Sequence, residues 1–143
     1  MRRAALAAVV LFFGCGGGNG GDGAGGSTAP PPPTVHPLDA STGRVAPAMS
    51  LWTGPFTLPA GATVTYVVTD MPTGVGQDSM RTAVVNQAQF SSTGPITGYA
   101  DQRATGSRTA VTPPLPADGY YFVVGCNNIL DDCLFSKTVT AYY

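Results

Sequence analysis

Apolar and polar positions change rhythm near residue 47. From Pro47 onward, short apolar–polar alternations are broken by Gly, Pro, Asp and Asn, the period-two pattern of half-buried strands bounded by turns. In "FTLPAGATVTYVVTD", Phe56 and Leu58 mark a short edge segment, Pro59, Ala60 and Gly61 a turn, and Val64, Tyr66 and Val68 one face of the next strand. "SMRTAVV" predicts a further strand with Met80, Thr82 and Val84 on one side and Arg81, Ala83 and Val85 on the other. Brief strands are expected around Ile96 to Tyr99 and Arg108 to Val111. The clearest pair is "GYYFVVGC" and "CLFSKTVTAYY", joined by "NNILDD".

If those last two strands form an antiparallel hairpin in which Cys126 opposes Cys133, Val124 falls against Phe135, Phe122 against Lys137 and Tyr120 against Val139. Tyr120, Phe122, Val124 and Cys126 then share one inward face. Lys137 is the polar exception on that face, and a place near a sheet margin with a snorkelling stem is expected for it.

Composition narrows the class. Charged residues make up 10% of the 143, Glu is absent, and there are 19 Gly and 13 Pro. A helical bundle needs Glu, Lys and Arg on its surface, whereas Thr, Val and Tyr suit a pleated one. The expected fold is all-β: a single small antiparallel β-sandwich or jelly-roll-like domain over residues 47–143.

The first fourteen residues have another logic. Arg2 and Arg3 precede "AALAAVVLFF", an apolar run half as long as the roughly 20 residues of a membrane-spanning helix and fitted to an export signal. Gly14 and Cys15 follow, and then "GGGNGGDGAGGSTAPPPPTVHPLDASTG". Nothing in that stretch can bury apolar surface, so residues 15–46 are expected to be a linker, coil in its Gly-rich half and polyproline II at Pro30 to Pro33. Without Arg2 and Arg3, 5 basic side chains face 8 acidic ones, a net charge of −3. That balance offers no patch for nucleic acid.

The N-terminal arrangement resembles a bacterial lipoprotein signal, with Gly14 before the cysteine and Phe12 and Phe13 where that family favours Leu and a small residue. The resemblance implies cleavage before Cys15 and diacylglycerol on its sulfur, hence a lipid bilayer as partner. With Gly16 rather than Asp after Cys15, it also implies the outer membrane of a bacterial envelope. An ordinary secretory signal cut near Gly14 or Gly16 is the alternative. Export makes a disulfide between Cys126 and Cys133 the expected state, against a pair of reduced thiols. "FTLPAGATVTY" and "LPADGYYFVV" are similar in order and spacing to the small β-sandwich modules of the bacterial pre-peptidase C-terminal type, which implies a non-catalytic accessory role.

Candidate chemistry is sparse. The single histidine, His36, lies in the expected linker, so a hydrolytic triad lacks its base. A hydrolase would have to use paired carboxylates among Asp70, Asp78, Asp101, Asp118, Asp131 and Asp132, all placed in or beside turns, where Asp favours local hydrogen bonds. No zinc set is present. Asn127, Asn128, Asp131 and Asp132 offer oxygen ligands on one short loop and are the weak candidates for calcium. Trp52, Tyr99 and Tyr121 are the weak candidates for ligand binding, as rings that stack on sugars or anchor an unknown protein. The expected function is that of a non-enzymatic envelope protein presenting a binding or structural module, with carbohydrate binding as the alternative.

Overall fold

A computed structural model of the protein describes residues 29–72, 76–93 and 96–143. Among these residues, eight strands lie in two antiparallel sheets. They are β1 (Val35–Val45), β2 (Ser50–Leu58), β3 (Thr63–Asp70), β4 (Ser79–Asn86), β5 (Tyr99–Thr105), β6 (Arg108–Val111), β7 (Asp118–Cys126) and β8 (Cys133–Tyr142). The first sheet runs β1-β8-β3-β6 and the second β2-β7-β4-β5, the strand order of a jelly roll. One short helix, α1 (Gln87–Phe90), follows β4.

Strand parity follows the sequence. Val64, Tyr66 and Val68 of β3, Met80 and Val84 of β4, and Tyr120, Phe122, Val124 and Cys126 of β7 are buried together between the sheets. Each burial of such a side chain is worth about 1.5–3 kcal/mol relative to exposure. Tyr66 meets Phe122 at a centroid distance of 4.9 Å. Its hydroxyl donates to the Ala100 carbonyl of β5 and accepts from Thr82 Oγ1 of β4, so the buried phenol joins both sheets. Burial pushes its pKa above the usual tyrosine value. Buried Arg108 performs a similar tie, its guanidinium donating to the carbonyls of Met80, Ala104 and Gly106.

Three expectations are corrected. First, β7 and β8 do not form a hairpin. β7 pairs with β2 and β4, and β8 with β1 and β3. The opposition of Phe122 and Lys137 survives across the core instead, with Lys137 Nζ 5.8 Å from the Phe122 ring centre. The Cys126–Cys133 disulfide, with Cα atoms 5.6 Å apart, therefore joins one sheet to the other.

Second, Lys137 is not at a margin. It sits on an interior strand of its sheet with 2% of its side chain exposed, ion-paired to Asp39 and donating to Thr53 Oγ1. A bulge in β1 between Pro37 and Asp39 resets parity and turns the carboxylate inward, as a buried ammonium requires.

Third, the linker does not reach residue 46. Val35–Val45 is an eleven-residue strand along β8, and His36 stacks on Tyr143 at 3.9 Å rather than lying in a tether. Gly43 within it is a packing glycine: a Cβ there would come within 2.6 Å of the Phe135 ring.

Candidate functional site

The outer face of the second sheet gathers Trp52 and Tyr121, two of the three aromatic candidates, with Arg81 and Arg103. Its strands present Ser50 and Trp52 from β2, Tyr121, Val123 and Gly125 from β7, Arg81, Ala83 and Val85 from β4, and Arg103 from β5. The ladders align these as rows, Ser50–Gly125–Arg81–Arg103 at the disulfide end and Trp52–Val123–Ala83 next to it.

The β4–β5 connection packs over part of this face. Asn86 caps α1 reciprocally with Gln89, each side chain meeting the other's backbone N–H at 2.8 Å. This capping box fixes Phe90 above the sheet. The Phe90 ring stacks on Tyr121 at 4.1 Å and meets Trp52 edge-on at 5.1 Å, while the Tyr121 hydroxyl donates to Gln87 Oε1 at 2.9 Å. Trp52 and Tyr121 are thus brought together, and Phe90, 39% exposed, supplies the outermost ring.

Beyond the rings the connection lies close against the strands. Gly98 permits it, because a Cβ there would stand 2.7 Å from both the Ala83 methyl and the Val84 carbonyl oxygen. Arg81 pins it, pairing side by side with both oxygens of Asp101 and donating to the Ile96 carbonyl. The hydrogen bonds from Arg81 hold the Asp101 carboxyl below the usual carboxylate range, and the same bonds raise the guanidinium. A small cavity of about 80 Å³ remains between Trp52, Arg81, Ala83 and Ile96.

Other candidates fall elsewhere. Tyr99 packs against the core, edge-on to Tyr120 at 6.1 Å, and does not join Trp52 and Tyr121. Two of the calcium candidates have protein partners. Asn128 accepts from the Ser79 N–H and donates to Asp78, Asp132 pairs with Arg44, and among the described residues no group of three or more His, Cys, Asp or Glu could hold a metal. Three further carboxylates serve structural hydrogen bonds. Asp78 accepts from Leu134 N and Asn128, Asp70 from Asp78 N, and Asp118 from Gly119 N. Cys15 lies outside the described residues.

Neither Phe90 nor the Arg81–Asp101 pair is singled out by the sequence. Only the first had a local signal, the Asn86…Gln89 spacing of a capping box before "QF". No protein-family model matches the chain, and no curated protein matches it.

Proposed function

We propose that the chain is a non-enzymatic, lipid-anchored protein of the bacterial cell envelope that presents its jelly-roll domain as a binding or structural module. The observation that carries this is the division of the cysteines: Cys126 and Cys133 are joined to each other, which leaves Cys15, behind an apolar run and before the Gly-rich stretch, as the one thiol for a lipid. The domain's own ionisable groups supply further support, since Asp39, Asp78, Asp101, Asp132, Arg44, Arg81 and Lys137 all serve bonds that hold strands and loops together. Similarity in layout to accessory sandwich modules of secreted proteins points the same way. Diacylglycerol on Cys15 would hold the protein at the outer membrane, with the segment before Val35 as spacer.

Growth of an expressing bacterium with a clickable palmitate analogue tests the anchor. The wild-type chain is expected to carry label and to sediment with membranes, and Cys15→Ser to lose the label and keep its leader. An unlabelled wild-type chain in the soluble fraction would overturn the proposal.

Glycan recognition is the second reading, favoured by the Trp52–Phe90–Tyr121 cluster. Because Tyr121 is covered on one side by Phe90, a sugar would stack on the outer face of Phe90. Binding on a glycan array that disappears in Phe90→Ala and Trp52→Ala is the expected result, and a blank array removes this reading while leaving the anchor intact.

A further inference from the structure

The row Ser50–Gly125–Arg81–Arg103 sets two arginines directly opposite each other on β4 and β5. Like charges at such a position lower stability unless an anion is supplied. Arg81 has its anion in Asp101. Arg103 is exposed, and among the described residues it is the one cation that is neither ion-paired nor buried.

Arg103 stands on one wall of an open groove of about 450 Å³, shared with Met49, Ser50, Arg81, Asn127 and Ile129. Two apolar residues of its lining are strongly exposed, Met49 at 61% and Ile129 at 88%. The backbone beside them is held in place. The disulfide closes the loop, the Asn128 side chain bonds both Ser79 and Asp78, and the Asn127 and Cys126 N–H groups donate to the Ser79 and Met49 carbonyls. A backbone already held by these bonds loses little freedom when the groove is covered. In the β1–β8 ladder Val35 lies beside Tyr142 and Val45 beside Cys133. The groove is therefore at the end of the domain away from the chain's entry, about 30 Å along the strands.

We propose that this groove docks an extended acidic segment of a partner protein, a carboxylate meeting Arg103 while an apolar side chain lies between Met49 and Ile129. Charge complementarity selects the acid. The pairing of Met and Ile with Arg selects a protein, because Met and Arg are enriched at protein interfaces. Among the described residues no ring lines the groove to stack a sugar, and one free cation is too few for a polyphosphate backbone. The site specifies the ligand of the binding module and requires no acylation of Cys15, so either proposal can fail alone.

The test is fluorescence anisotropy of the full chain, disulfide intact, with a labelled capped peptide Leu-Asp-Val-Asp-Leu, whose extended form puts acids on one side and apolar groups on the other. The acidic peptide is expected to bind about tenfold more tightly than its Leu-Asn-Val-Asn-Leu analogue, as charged hydrogen bonds predict, and to weaken as salt rises. Arg103→Gln is expected to abolish that preference, Arg103→Lys to restore part of it, and Ile129→Ser to weaken both peptides. Urea unfolding of R103Q checks the fold; its midpoint is expected near that of the wild type, since the variant removes both a like-charge neighbour of Arg81 and a charge that favours the Asp101 carboxylate. Equal affinity for the two peptides, a preference that survives R103Q, or no binding of either would overturn the proposal.

Discussion

Asp39→Asn is expected to cost the domain about 3 kcal/mol of stability, at the lower end of the range for breaking a buried ion pair, read as a lowered urea midpoint with an unchanged slope. The ammonium of Lys137 lies between the sheets, 2% exposed, with Asp39 on β1 and Thr53 on β2 as its partners. Losing the carboxylate leaves a buried charge with no anion beside it, stabilised only by neutral groups: the amide oxygen, the Thr53 hydroxyl and the face of Phe122. The reverse change, Lys137→Met, is expected to cost less. Asp39 keeps 19% of its side chain exposed and can turn to water, whereas the methionine fills the space of the lysine stem. This asymmetry is the discriminating result. If Asp39→Asn costs no more than Lys137→Met, the ammonium reaches solvent by a path other than the one the packing provides. A double-mutant cycle isolates the pair from the packing of each partner alone.

The same lysine shows why strand faces were legible in the sequence and strand neighbours were not. Period-two alternation says which side chains point inward. It does not say which strand lies alongside, because a strand in either sheet of a sandwich satisfies the pattern equally. "GYYFVVGC" and "CLFSKTVTAYY" have inward faces that oppose each other whether they form a ladder or face across the core, and the disulfide is compatible with both. The six residues between Cys126 and Cys133 decide little, being long enough to cross the roughly 10 Å between packed sheets. Only Lys137 carried a hint: an amine on an interior face demands a carboxylate, and its partner was hidden in a segment that looked like linker.

That segment, "VHPLDASTGRV", escaped notice for physical reasons. Its bulge between Pro37 and Asp39 breaks the alternation, and at Gly43 the room for a side chain is filled by Phe135. As an edge strand in the order β1-β8-β3-β6, it also needs only a few inward residues. The site was less legible than the fold. Trp52 and Tyr121 are visible as aromatics, but their meeting depends on α1 bringing Phe90 over them. The Arg81–Arg103 opposition depends on a β4–β5 register with an irregularity between Thr82 and Val84, which no residue pattern announces.

Removal of the disulfide is the second large effect expected. For Cys126→Ala with Cys133→Ala, the chain-entropy relation for a loop this short gives a loss of about 2.5 kcal/mol. The bridge joins β7 of one sheet to β8 of the other, so its removal frees a link between the sheets and breaks no ladder. The ladders of β7 with β2 and β4, and of β8 with β1 and β3, are untouched by the change. Tyr66 and Arg108 still tie the sheets elsewhere. The variant is therefore expected to fold, with a lowered midpoint and a loop at Ile129 and Leu130 that proteases cut faster. Because the loop forms one wall of the Arg103 groove, peptide affinity should fall with the loop's order while the acidic preference, which rests on Arg103, persists. A midpoint unmoved by the double substitution or by reductant would mean that the packing of β7 against β8 holds that end without the bond.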